Sequence, residues 1–288
     1  MMFFRTGACA EGVAWAFMDL DDGALARCGR SATVTALLED KMTRVFTKVM
    51  SYLAADGTLC EGYLAGPAES GLKRPGILIA PDWFGVGDFV RTRAEALAKL
   101  GYVVLVADVY GKGIRPATAQ EAAGMTRAFR EDRAALRMRV RAGYDALRAL
   151  PQVDEQYLVA TGYCFGGTTV LELARSGAEL SGVVSFHGGL SNPNPRDVAN
   201  IRGKVLVMHG AADPFVPQAE VTTFRNEMQE AGIDLRFIAY PGAVHAFTSP
   251  LAGSDPSTGL AYDALADAAS WREFSQFLAE VAPLPTGG

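Results

Sequence analysis

The stretch YLVATGYCFGGTTVLELARSG, residues 157–177, runs from an apolar strand through a glycine-rich turn into a helix. The turn carries the pattern G-x-C-x-G-G, with Gly162, Gly166 and Gly167 around Cys164. A strand and helix that meet this closely leave room only for small residues two before and two after the apex. The apex residue is held in a strained backbone conformation that exposes its side chain. The helix beginning near Gly166 points its free N–H groups and its dipole at the thiol, which favours the thiolate. Cys164 is therefore a candidate nucleophile. A buried structural cysteine at a crowded bend fits the same short pattern; the flanking strand and helix favour the reactive reading.

The same alternation extends in both directions. Upstream, VMSYLAADGTLCEGYLAGP (49–67) reads as two strands around an Asp56-Gly57 turn. In RPGILIAPDWFG (74–85) the run Gly76–Ala80 is continuously apolar, as in a strand covered on both faces. Residues 89–100 read as a helix closed by Gly101. YVVLVADVYG (102–111) is a strand, and residues 118–149 are one or two arginine-rich helices. Downstream follow strand GVVSFHGG (182–189), strand GKVLVMHGAADP (203–214), helix QAEVTTFRNEMQEAG (218–232) and strand LRFIAYPG (235–242). A last helix at about 260–280 lines Trp271, Phe274, Leu278 and Val281 on one face, as core.

Strands alternating with helices predict right-handed β-α-β units. The fold class is α/β: a doubly wound, mostly parallel sheet with helices on both faces, and with this turn an α/β-hydrolase. Residues 46–288 read as one catalytic domain. Residues 1–45 show neither period and read as an extension, or as sequence upstream of a later start.

A thiol needs a base, and the chain has three histidines: His187, His209 and His245. In hydrolases with this turn the order is nucleophile, acid, histidine. Only His245, in PGAVHAF, leaves room for an acid between itself and Cys164. Asp213, past the strand that ends near Met208, is that acid. The roles follow: Cys164 as thiolate nucleophile, His245 as general base and then acid, Asp213 as its orienter. His209 reads as a hydrogen-bonded packing residue, and His187 as packing or pocket wall. Two backbone N–H groups should form the oxyanion hole, from Phe165 after the nucleophile and from Trp83 in the loop APDWFGVGD. Asp82 beside Trp83 is a carboxyl near the thiol, or a turn residue bonded to local N–H groups.

The segments PDWFGVGDFVRTRAEALAKLGYVVLVADVYG, GYCFGG, HGAADPFVP and PGAVHAF together resemble the dienelactone hydrolase family of α/β-hydrolases, over roughly residues 48–280. The resemblance implies a carboxymethylenebutenolidase-like esterase that opens lactones or esters through Cys164, His245 and Asp213. It implies no metal or cofactor, a cytoplasmic location, and a monomer or weak homodimer. It puts Asp82 where a glutamate holds the resting thiol. Where such members grip a substrate carboxylate with arginines, this chain has Lys112, with Arg115 nearby, and Ser249. Lysine does not imitate arginine's fork. The aromatic residues Trp83, Phe84, Tyr110, Phe165, Phe215 and Phe247 are candidates for a largely apolar cleft, or for core.

Composition agrees with a globular enzyme. Of 288 residues 49% are hydrophobic, and the net charge of −5 is the reverse of a nucleic-acid binder's. No run approaches the roughly 18 apolar residues of a membrane span. At the N-terminus Glu11, Asp19, Asp21 and Asp22 interrupt the apolar patches that a secretory signal would keep whole. Cys9, Cys28, Cys60 and Cys164 form no metal or disulfide spacing, which fits a reducing compartment. A second expectation from another class is a sensor or carrier that binds a small molecule on this fold with little turnover.

Overall fold

A computed structural model describes residues 44–68 and 71–285. The expected extension, 1–45, lies outside the described residues except for Arg44 and Val45. Strands β1 (Val45–Leu53) and β2 (Leu59–Pro67) form an antiparallel hairpin. Its turn holds Gly57 at φ 81° and is closed by Asp56 Oδ1 accepting the Thr58 N–H. There follow β3 (Arg74–Ala80), α1 (Asp88–Leu100), β4 (Val103–Val106), α2 (Ala119–Glu131), α3 (Arg133–Arg148) and β5 (Val153–Tyr163). The chain continues through α4 (Phe165–Arg175), β6 (Gly182–Phe186), β7 (Lys204–Gly210), α5 (Gln218–Glu230), β8 (Leu235–Tyr240) and α6 (Ala264–Val281). The arginine-rich segment is thus two helices. Asp132 ends the first and caps the second, its side chain accepting the Ala135 N–H.

The sheet order is β1-β2-β4-β3-β5-β6-β7-β8. All pairs from β4 to β8 are parallel, and only β1/β2 and β2/β4 are antiparallel. The apolar runs divide by parity, because successive side chains in a strand point to opposite faces. Leu78, Leu105, Ala160, Val183 and Val207 pack with α3, α4 and α5. Ile77, Ile79, Val104, Val159, Val184 and Leu206 pack with α1 and α6. Of the expected face of α6, Phe274, Leu278 and Val281 are buried and Trp271 packs partly buried beside them.

Register sets the site. Ala80 pairs with Gly162, Tyr163 with Phe186, and Phe186 with Met208. The loops that begin at Pro81, Cys164, His187 and Ala211 therefore leave one rim of the sheet. The loop after β8 joins them, since Gly210 pairs with Tyr240. Among the described residues no helix is long and apolar enough to cross a membrane.

Candidate active site

Cys164 sits between β5 and α4 with φ 55° and ψ −117°. The glycines around it are required by close approach. A Cβ on Gly162 would collide with the Gly166 backbone, and one on Gly166 with the carbonyl of Ala80. A Cβ on Gly167 would run into Ser185 and Gly188. The Cys164 N–H is anchored by Phe186 O at 3.0 Å and by His187 Nδ1 at 3.1 Å. Its half-buried thiol lies 3.0 Å from His245 Nε2.

His245 is held from behind. Asp213 Oδ2 lies 2.7 Å from His245 Nδ1, and Asp213 Oδ1 accepts the Phe215 N–H at 2.8 Å. The His245 backbone is fixed by Gly259 O and by the Ala261 N–H. Burial alone would lower the imidazole pKa. The Cys164 sulfur and the Asp213 carboxylate outweigh burial, and the pKa rises to about 10. The geometry thus favours an imidazolium held between the Cys164 sulfur and the Asp213 carboxylate.

Phe165 is the first residue of α4, where a backbone N–H has no intrahelical acceptor. The Trp83 N–H has no protein acceptor among the described residues. The Trp83 carbonyl accepts the Tyr110 hydroxyl at 2.9 Å, and the Tyr110 ring stacks parallel to Phe165. One tyrosine thereby contacts both residues expected to supply the oxyanion donors.

The other expected site residues divide. Asp82 lines the cleft, but its Oδ1 accepts the Phe84 N–H at 2.8 Å. That is the turn arrangement, and no hydrogen bond joins Asp82 to the thiol among the described residues. Burial raises its pKa, only partly offset by the Phe84 N–H. Lys112 and Arg115 are not at the cleft. Lys112 pairs with Glu61 at 2.6 Å, and Arg115 with buried Asp108 at 3.2 Å. Tyr110 is buried in its bracing role, and Phe247 is fully buried against His187 and Tyr240. These four are therefore withdrawn as substrate contacts: two have charges already spent on acids, and two have no free face. Phe84 does line the cleft, 41% exposed, with Phe215 at 57% and Leu251 at 83%. His187 touches the cleft wall, yet both its ring nitrogens have protein partners. His209 packs on Phe237 away from the cleft, and its Nδ1 has no partner among the described residues.

The cleft encloses about 630 Å³. Arg130 and Arg133 line it too, and sequence reading did not single them out. They flank the break at Asp132, and nothing in a row of helical arginines marks which two will face a cavity. Among the described residues no cluster of three or more His, Cys, Asp or Glu is arranged to hold a metal ion.

An open, mostly parallel eight-stranded sheet, covered by helices on both faces and bearing a strand–turn–helix at its rim, defines an α/β-hydrolase. The profile of the dienelactone hydrolase family matches residues 60–282, and the chain belongs to that family of hydrolases. It is 38% identical to the solved "Dienelactone Hydrolase-like Promiscuous Phospotriesterase P91 from Metagenomic Libraries", with a TM-score of 0.79 over 83% of this chain and 99% of that one. A structure titled "m3DLH" gives 40% identity at the same TM-score and coverage. A Methylorubrum extorquens protein named "Putative carboxymethylenebutenolidase" is 30% identical over 67% of this chain and 69% of its own.

Proposed function

We propose that the chain is a cysteine hydrolase of a small carboxylic ester or lactone, with Cys164, His245 and Asp213 as its triad. One observation carries this reading: the unbroken line from thiol to imidazole to carboxylate, 3.0 Å and then 2.7 Å. Membership of the family supports an ester as the substrate class. The Cys164 thiolate attacks the carbonyl carbon, and the carbonyl electron pair moves to oxygen. The N–H groups of Trp83 and Phe165 receive that oxyanion. As the intermediate collapses, the C–O bond breaks and the leaving alkoxide takes the proton from His245 Nε2. A water then gives a proton to Nε2 and attacks the thioester; the C–S bond breaks and the acid leaves. Asp213 keeps the other imidazole proton on Nδ1 throughout. The apolar rim of Phe84, Phe215 and Leu251 suits an uncharged, bulky substituent. A reducing, cytoplasmic setting fits a nucleophile that must remain a thiol, and nothing in the cycle needs a cofactor or more than a monomer or weak homodimer.

The test is Cys164→Ala against small activated esters and lactones. Activity should fall by on the order of 10⁴-fold. Undiminished turnover would remove this reading. Stoichiometric acylation of Cys164 without release would instead favour the sensor or carrier. A second reading, promiscuous phosphotriester hydrolysis at the same thiol, is favoured by the 38% identical relative that is named for that activity. Turnover of an aryl dialkyl phosphate that disappears with Cys164→Ala would support it.

A further inference from the structure

Among the described residues three non-glycine positions have positive φ: Cys164 at 55°, His187 at 40° and Ala246 at 59°. Such positions are strained and persist only where the surroundings impose them. All three lie at the site. Cys164 is the nucleophile of the proposed reaction, and Ala246 follows His245. His187 has no part in that reaction as written, so its strain needs another account.

His187 begins the loop after β6, between the loops that present Cys164 and His245. It is 2% exposed, and its backbone N–H is tied to Met208 O at 2.8 Å. On one side its Nδ1 faces the Cys164 N–H at 3.1 Å. On the other its Nε2 lies 2.9 Å from Thr248 Oγ1, three residues beyond His245. The tautomer follows from the partners. A nitrogen facing an N–H must accept, so the ring proton sits on Nε2 and is donated to the Thr248 hydroxyl. Thr248 is itself tied down, its carbonyl accepting Arg93 Nη2 at 3.0 Å while Arg93 pairs with Asp267 at 2.6 Å. The His187 ring also meets the His245 ring edge-on, with centroids 5.3 Å apart.

We propose that His187 is a positioning residue for Cys164: a neutral imidazole that braces the nucleophile turn to the loop carrying His245. This rests on the reading of Cys164 and His245 as nucleophile and base. Their contact joins the loops after β5 and β8, which two other strands separate in the sheet. A change of about 1 Å between those loops would lose a reactive alignment. His187 ties one loop to the other through a single rigid ring. An imidazolium has no acceptor nitrogen, so the brace requires the neutral form. Burial favours that form first, and the groups that face the ring oppose its protonation: the cations His245 and Arg93, and His209 whenever it is charged.

The test compares His187→Phe, which fills the space without polar atoms, with Thr248→Val, which removes the far arm and leaves the turn untouched. Each should lower kcat by roughly 10- to 100-fold with KM within about twofold, because alignment rather than binding is lost. The double variant should be no worse than the weaker single one, since both cut the same brace. His187→Asn keeps an acceptor near the Nδ1 position and should recover part of kcat. The alkylation of Cys164 by iodoacetamide should slow in the same variants, a readout that merely structural changes elsewhere do not move. If the folded variants keep kcat within twofold, or if the two losses multiply, the brace is wrong. Should His187→Phe fail to fold, Thr248→Val decides alone. A dead Cys164→Ala beside fully active His187 and Thr248 variants would refute only this inference; an active Cys164→Ala would refute the reading beneath it.

Discussion

At the scale of the residue, the charge on His245 is set by a contest. The imidazole is buried, which taken alone drives off its proton; the thiol and Asp213 on either side hold it. The pKa is raised, so the folded protein keeps this proton from the ordinary value of 6.5 up to about 10. At about pH 8 a free histidine is neutral, whereas His245 should still be charged. An NMR pH titration of the imidazole carbon-bound protons reads this directly. In Cys164→Ala the sulfur is gone and the His245 midpoint should move down, toward the neutral form that burial favours. A midpoint that stays put would mean that Asp213 alone sustains the charge. The neighbouring His187 shows the opposite outcome of the same physics, since no acid touches it and it stays neutral.

At the scale of the element, one substitution should have opposite signs at two helical positions. Gly166 lies in the first turn of α4, against the backbone of Ala80 and Pro81. Gly166→Ala forces β3 and α4 apart and should destabilise by about 1–3 kcal/mol, with activity lost as the turn shifts. Gly124 lies within α2 with open space around it. Gly124→Ala should stabilise by about 0.5–1 kcal/mol, because alanine loses less backbone freedom in a helix. Urea unfolding of both variants checks the pair. The elements themselves were largely legible. The short apolar run Gly76–Ala80 reads as a strand covered on both faces and is one, β3, and Gly101, at φ 112°, ends α1 as its position predicts. The turn at Cys164, and His245 as the last of three histidines, could be picked out because spacing and order are written in the chain. The uses of Lys112 and Arg115 could not. Glu61, which takes the Lys112 charge, is brought beside it by the pairing of β2 with β4, and Asp108 meets Arg115 only through the folding of the loop they share. His187 was placed at the rim, but its bond to Thr248 spans 61 residues and has no local signal.

At the scale of the molecule, the rim loops stay aligned only if the helices beneath them stay docked, and a buried ionic cluster does part of that docking. Glu172 of α4 receives Arg137 Nε of α3 at 2.8 Å and Arg175 Nη1 of its own helix at 2.8 Å. Arg175 is fully buried and donates further to the carbonyls of Leu190 and Ser191, in the loop that His187 begins. Arg137 reaches on to Asp197 at 2.6 Å. One carboxylate thus joins α3, α4 and the loop after β6. Taking such charges out of water is costly, and the cluster holds because each guanidinium has acid or carbonyl partners. Glu172→Gln removes the central charge and leaves Arg175 buried without an anion. The loss should be about 3–5 kcal/mol, the range found when one partner of a buried pair is removed. Urea unfolding at neutral pH measures it. Glu172 does not line the cleft, so kcat of the folded fraction at low temperature should change far less than stability does. A loss under about 1 kcal/mol would place the cluster with exposed ion pairs. The docking of α3 and α4 would then rest on Leu136, Val140, Val170 and Leu171 packed against the sheet.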